Sequence, residues 1–389
     1  MRKCCSIWAV AVALGACTSD RTATRPSPPD GATPDAARSS VPTTPSPLGP
    51  LMDRARVPGL AIATVRRGVV STTRGFGLAD AARGIPVVPS TIFATASISK
   101  LVTAASVMQL VETGKLALDE DVSRAAAFTV RNPAFPNVPI TVRMLLAHVS
   151  SIADDPAVLA SATSRGDPST GLGDFLRAAL TPPRARASFL DAAPRTTHRY
   201  SNVAVSLAAL LVERRSGESF DAYSRAHVLE PLGIRGARWR LAELDTSRVA
   251  VPHRWIGTGY EPTGHVGHAL YPVVDLRATA GEIATLLAAF ANHGALGDAR
   301  ILRADTLARM LEPVAPALEP SQGLVFQRAE LDGQTLWGHE GEDQGATTMA
   351  FFDPASGDGA VVLANGDAFA SEDPARAEAM REILKTALR

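Results

Sequence analysis

Three stretches of this sequence set reactive or polar side chains at spacings that chemistry could use. They are Ser97-Ile98-Ser99-Lys100, Tyr200-Ser201-Asn202 and His339-Glu340-Gly341-Glu342. A serine hydroxyl is a weak nucleophile until a base takes its proton. A lysine serves as that base only when its amine is neutral near pH 7, and burial or the positive end of a helix dipole disfavours the ammonium. Residues three apart share a helix face, so Ser97 and Lys100 would meet in one turn. Lysine is also scarce here: of 39 Lys and Arg, only Lys3, Lys100, Lys115 and Lys385 are Lys. Arginine does the generic cationic work, and arginine cannot release its proton. The bland alternative for Lys100 is a surface side chain lying along apolar neighbours.

Tyr200 could relay a proton, and the Asn202 amide could hold both a lysine and a substrate carbonyl. The same letters read as an Asn helix cap beside a packed Tyr. His339 could exchange a proton over a cleft, and Gly341 would let a substrate approach a strand backbone. A β-turn with a surface His fits that stretch as well. His253, His265 and His268 raise the question of a metal. Their spacing is loose and no Cys joins them, so packed or solvated histidines are expected, with no metal and no cofactor.

The elements that must position these groups follow from the pattern around them. Leu101, Val102, Ala104, Ala105, Val107, Met108, Leu110 and Val111 are apolar nearly all round a helix that would end at Gly114. Ser97 and Lys100 would sit in its first turn. A second helix is expected from about residue 203 to 214, opening at Tyr200-Ser201-Asn202. Residues 59–65 and 69–73 around Arg66-Arg67-Gly68 predict a β-hairpin. Runs at 324–329, 335–338, 347–352 and 360–364 predict an antiparallel meander, followed by a helix over Pro374–Leu388. Thr279 and Glu282 fit a capping box. Strands at both ends with helical patterns over about 116–264 predict an α/β (α+β) fold: an antiparallel sheet flanked by helices, with an inserted all-helical subdomain and the site in the cleft between them.

Arg2 and Lys3, an apolar run from Ile7 to Leu14, and Gly15-Ala16-Cys17 predict an export signal over residues 1–16, too short to span a bilayer. Leu14-Gly15-Ala16-Cys17 resembles a bacterial lipobox, which implies that Cys17 carries lipid and anchors the protein to a membrane. An ordinary secretory signal with a chance cysteine is the alternative. Thr18, rather than Asp, after Cys17 implies the outer membrane by the sorting rule of some Gram-negative bacteria. Residues 17–50 are Ser, Thr, Pro, Ala and Asp with few large apolar side chains, and predict a disordered linker before a domain at 51–389. Cys4, Cys5 and Cys17 are the only cysteines, so none remains for a disulfide in the mature domain. The chain is 46% hydrophobic with formal net charge +0, which argues for a globular body, monomeric by expectation, and against nucleic-acid binding.

Taken together, and in this order, the three stretches resemble the serine β-lactamase and penicillin-binding-protein superfamily, specifically its class C-like branch. Ser97-x-x-Lys100 matches S-x-x-K, Tyr200-x-Asn202 matches Y-x-N, and His339-x-Gly341 stands where K-T-G or H-x-G stands in relatives. Leu145-Leu146-Ala147-His148, Pro231-Leu232-Gly233 and Asn365-Gly366 look like family framework. The resemblance implies a β-lactamase/transpeptidase-like fold and a serine acyl hydrolase. Ser97 would be the nucleophile, with Lys100 and Tyr200 sharing the proton work. Asn202 would orient Lys100 and the substrate, and the oxyanion would sit between the backbone N–H of Ser97 and one near Glu342. His339 replaces the Lys that relatives use for a substrate carboxylate, and Glu340 and Glu342 add negative charge, so an esterase-like reading on a small ester, amide or peptide is favoured. A D-alanyl-D-alanine carboxypeptidase or class C-like β-lactamase is the alternative. From another class, a non-catalytic envelope protein binding a peptidoglycan fragment or partner stays open. Ser151 departs from a Gly common at its position.

Overall fold

The computed structural model describes residues 48–371 and 373–389. The predicted signal, the Cys17 site and nearly all of the predicted linker lie outside the described residues. Leu48 is buried and helix α1 spans Gly49–Ala55, so residues just before the expected boundary at 51 are part of the described body.

The predicted hairpin and meander join in one seven-stranded antiparallel sheet. Its strands are β1 (Gly59–Arg66), β2 (Val69–Asp80), β3 (Ile85–Pro86), β4 (Gln327–Leu331), β5 (Gln334–Asp343), β6 (Ala346–Phe352) and β7 (Gly359–Ala364), in the spatial order β4-β5-β6-β7-β1-β2-β3. The first and last parts of the chain meet where β1 pairs with β7, Ile62 opposite Val362. Successive strand residues point to opposite faces. Leu60, Ile62, Val362 and Phe351 pack with Met380 and Ile383 of helix α5 (Pro374–Leu388). Ala61, Ala63, Val361 and Phe352 join the core that holds Ile283, Leu287 and Phe290 of helix α4 (Ala280–Ala291). Both faces are covered, which is why these strands read as continuous apolar runs rather than alternating ones. α4 opens with the predicted capping box of Thr279 and Glu282.

Two predicted features differ. β5 runs on to Asp343, so His339-Glu340-Gly341-Glu342 lies within a strand and is no turn; Leu324, Val325 and Phe326 are buried but precede β4. The inserted region is not all-helical. Thr163–Arg165 pairs with Val266–His268, and His253–Trp255 pairs with Tyr260–Pro262. These strands of three residues are too short to show period-2 alternation against the surrounding helical pattern.

The helical part is centred on two buried helices packed together, α2 (Ser99–Glu112) and α3 (Asn202–Ser216). Apolar side chains point in all directions from both, as expected for helices with no solvent face. Gly114 has φ 70 just beyond α2, and Gly217 has φ 81 at the end of α3. These left-handed positions suit glycine and stop both helices. No helix among the described residues is long and apolar enough to cross a membrane.

Candidate active site

Each buried helix brings reactive groups to one cleft from its N-terminal end. Ser97 lies in a short 3-10 turn, Ala96–Ile98, that leads directly into α2, so it precedes the α-helix rather than belonging to it. The backbone before it is strained: Ala96 has φ 49, in the region L-residues avoid, at a typical cost of about 1–3 kcal/mol. The turn is held from several sides. Thr95 O accepts from Ile98 N–H (3.2 Å) and from Thr348 Oγ1 (2.9 Å), and Leu276 N–H donates to Ser99 Oγ (3.1 Å).

Lys100, fully buried, donates from Nζ to Ser97 Oγ (2.8 Å) and to Val273 O (2.9 Å). Burial pushes its ammonium down to about 7, against the pull of Asp154 and Asp343. Tyr200 O–H donates to the same Ser97 Oγ (3.1 Å), and burial raises the phenol well above its ordinary value, so the proton stays on oxygen. The His148 ring lies 4.4 Å from the Tyr200 ring, and its Nδ1 accepts from Ser201 N–H (3.2 Å). Burial above all, with repulsion from Lys100, holds His148 well below its ordinary value.

Asn202 departs from its expected role. The cap of α3 is Ser201, whose Oγ accepts from Ala204 N–H (3.0 Å), and Asn202 is the first helical residue. Its Nδ2 donates to Asp154 Oδ2 (2.8 Å) instead of meeting Lys100. Asp154 also accepts from the backbone N–H of Asn202 and Val203 and from Ser201 Oγ. A carboxylate at a helix N-terminus gathers free N–H groups in this way. Lys100 takes its orientation from the Val273 carbonyl. Asp154 was missed in the sequence because only chain folding brings it to Asn202.

The facing wall is β5. β4 pairs with it only as far as Gly338, opposite Gln327, so among the described residues its edge from His339 to Asp343 has no strand neighbour on that side. Gly341 lies against the nucleophile turn: a Cβ there would fall 2.9 Å from Ser97 N and 2.2 Å from Thr348 Oγ1. Strand alternation puts His339, Gly341 and Asp343 on the Ser97 side and Glu340 and Glu342 on the other. His339 is buried, not a surface residue. Its Nδ1 donates to Glu340 O, and burial together with Lys100 lowers it to about 3. It is therefore a neutral imidazole whose buried Nε2 has no hydrogen-bond partner.

The negative charge expected from Glu340 and Glu342 is weakened. Glu340 is 3.7 Å from Arg381 on α5, and Glu342 is raised to about 7 by burial and by Asp343 and Asp367. The acidic group on the Ser97 side is Asp343, two residues beyond Gly341. Extending the strand alternation would have found it.

The three histidines weighed for a metal have separate surroundings. His253 Nε2 accepts from Ala81 N–H, and His268 lies between Asp275 and Asp343. The chemically capable atoms of His268, Asp275 and Asp343 come within 4.8 Å of one another. Asp275 meets Nδ1 (2.8 Å), however, and Asp343 faces Nε2 (3.7 Å), so the carboxylates address different ring nitrogens. One ion binds a single imidazole nitrogen at about 2.0–2.1 Å, and the arrangement fits an imidazolium between two carboxyl groups better than a metal. Ser151 has φ 63, which accounts for Gly being common there, and its Oγ accepts from Asn132 Nδ2 (3.1 Å).

Comparison with known proteins agrees with this geometry. The Beta-lactamase family model matches residues 48–385. Penicillin-binding protein 4 of Amycolatopsis lactamdurans is 28% identical over 322 residues, covering 80% of this chain and 81% of the relative. The octameric penicillin-binding protein homologue of Pyrococcus abyssi superposes with a TM-score of 0.70 at 24% identity, over 82% of this chain and 72% of that one. The D-amino acid amidase of Ochrobactrum anthropi SV3 superposes with a TM-score of 0.69 at 22% identity, over 86% and 98%. These two structures share the mixed sheet-and-helix fold. A family match across nearly all of the described residues makes this chain a member of the Beta-lactamase family, and hence a serine hydrolase.

Proposed function

We propose that the protein is an acyl hydrolase that opens a small ester or amide through an acyl-enzyme on Ser97, with an esterase-like preference. The observation that carries this reading is the position of Ser97 Oγ, 2.8 Å from Lys100 Nζ and 3.1 Å from Tyr200 Oη. Once Lys100 has lost its proton, the hydrogen bond reverses and Ser97 O–H donates to Nζ. Oγ attacks the carbonyl carbon while Nζ takes the proton. The backbone N–H groups of Ser97 and Glu342 stabilise the oxyanion, a contribution worth roughly 2.7–4 kcal/mol per donor in such chemistry. The carbonyl re-forms, the bond to the leaving group breaks, and the departing oxygen or nitrogen takes a proton from Tyr200, which Lys100 replaces. Water then attacks the ester of Ser97. Its proton passes through Tyr200 to Lys100, Oγ is reprotonated, and the acid leaves.

The preference follows from the strand wall. Neutral His339 has no charge with which to hold a substrate carboxylate, and the nearby acid is Asp343. Short p-nitrophenyl esters should therefore be turned over with a higher kcat/KM than nitrocefin or D-Ala-D-Ala peptides. A higher value for nitrocefin would overturn the esterase reading, and failure of a serine-reactive phosphonate to label Ser97 would favour a binding protein. The Leu14-Gly15-Ala16-Cys17 site supports an exported protein anchored by lipid on Cys17. In a Gram-negative host, the N-terminal peptide should carry the mass of a lipidated Cys17; an unmodified peptide beginning at Thr18 would refute this.

A further inference from the structure

We propose that His268 is a positioning residue whose imidazolium, held between Asp275 and Asp343, ties the open edge of β5 to the segment that grips Lys100. The Asp275 carboxylate takes two hydrogen bonds from His268, one from the backbone N–H (2.7 Å) and one from Nδ1 (2.8 Å). On the other side of the ring, Nε2 is 3.7 Å from Asp343 Oδ1. Asp343 is the last residue of β5 and follows Glu342, whose N–H is the proposed second oxyanion donor.

The segment from Tyr271 to Arg277 belongs to the same assembly. It supplies Val273 O to Lys100 Nζ (2.9 Å), Pro272 O to Thr103 Oγ1 (2.6 Å) and Leu276 N–H to Ser99 Oγ (3.1 Å). In this chain of contacts His268 joins the Asp343 side chain at the β5 end to the Asp275 side chain of the base-holding segment. Moving either end would shift the oxyanion donors relative to Ser97 and Lys100. Misplacement by about 1 Å can cost about a hundredfold in rate.

The bridge needs its proton, because Nδ1 donates to Asp275 and only the charged imidazolium is attracted to Asp343 across 3.7 Å. Burial alone would depress His268. The charge of Asp343 and the hydrogen bond and charge of Asp275 outweigh burial and Arg277, and hold it up at about 9. Burial pushes the Asp343 carboxyl upward, and the charge of His268 opposes that. The facing groups are Asp275 on its own loop, Asp343 on β5 and Arg277 beyond the loop; the paired strand sets Thr163 opposite His268. With the folded value raised above the ordinary 6.5, the bridge is intact below that value and is lost as pH rises through about 9.

The kinetic half of this proposal rests on the acyl-hydrolase reading. The bridge itself is tested without activity, by following the His268 ring through pH with NMR of the full folded protein. The ring should titrate near 9, and in Asp343→Asn it should titrate at lower pH. In kinetics, kcat/KM for a p-nitrophenyl ester should fall above about pH 9. His268→Gln should remove that alkaline limb and lower kcat by up to about a hundredfold. If His268→Gln fails to fold, the wild-type and Asp343→Asn titrations decide. A His268 that titrates below pH 7, an alkaline limb unchanged in His268→Gln, or zinc that displaces the ring proton and raises the melting temperature would each overturn the bridge. A protein that turns over no ester while its His268 titrates near 9 would sink the hydrolase reading and leave the bridge standing.

Discussion

On the helical wall of the cleft, burial strips charge from Lys100, bringing its amine to about 7, whereas on the strand wall Asp275 and Asp343 keep His268 protonated up to about 9. Burial pushes both groups down, and their partners decide whether that push prevails. Lys100 has a hydroxyl and a carbonyl as hydrogen-bond partners and only distant carboxylates. His268 has one carboxylate in hydrogen-bond contact and another across the ring. The helical wall is suited to moving protons near neutral pH, and the strand wall to holding geometry and choosing what enters.

The largest effect should come from the helical wall. Lys100→Arg keeps positive charge but offers no removable proton. It should lower kcat on a p-nitrophenyl ester by at least about 10²- to 10⁴-fold, with KM changed less. In the wild type, kcat/KM should rise with pH through about 7, because the neutral amine is the active form and the folded value lies far below 10.5. A folded Lys100→Arg protein keeping more than about a tenth of the activity would mean that Lys100 is not the base. A flat profile between pH 6 and 8 would mean that burial does not bring it into range.

A smaller effect is expected on the strand wall. His339→Lys puts an ammonium where a neutral ring now presents Nε2. A hydrogen bond to a charged partner is worth about 1.5–3 kcal/mol, so the kcat/KM ratio of nitrocefin to ester should rise about ten- to a hundredfold. The new charge should also depress Lys100 further and move the acidic limb to lower pH. An unchanged ratio would separate position 339 from substrate choice.

The two walls were unequally legible in the sequence. Ser97 and Lys100 sit three apart at the head of an all-apolar run, and Tyr200 opens a second one, so local pattern brought out the reactive groups and their helices. The predicted hairpin and C-terminal helix rest on the same kind of local signal. The strand wall depends on pairing. Small and charged residues at 340–345 resemble a turn, and only the β6 partner keeps β5 extended to Asp343. Asp154, Val273 and His268 come from short elements or connections far along the chain, and no spacing encodes their contacts with Asn202, Lys100 and Asp343.

The smallest effect should come from the outward side of β5, and it tests whether alternation truly divides this strand. Glu340 was expected to add negative charge beside the substrate, yet its carboxylate is turned toward Arg381 on α5. Burial raises its pKa, and Arg381 offsets that only in part. A carboxyl raised in the folded state favours folding in its protonated form, so its contribution is fully present below the unfolded value near 4.5 and is lost as pH rises through the folded one. Burial thus burdens the charged form, and the 3.7 Å ion pair with Arg381 partly relieves that burden. Glu340→Gln removes the burden and the pair together. Partly exposed pairs are worth about 0–1 kcal/mol, so the melting temperature at pH 7 should stay the same or rise slightly, and the difference from wild type should shrink or reverse at pH 4. Ester turnover should change by less than about twofold, since Glu340 lies on the face away from Ser97. A drop of tenfold or more in kcat/KM without loss of stability would place Glu340 in the cleft and break the division between the two sides of the strand.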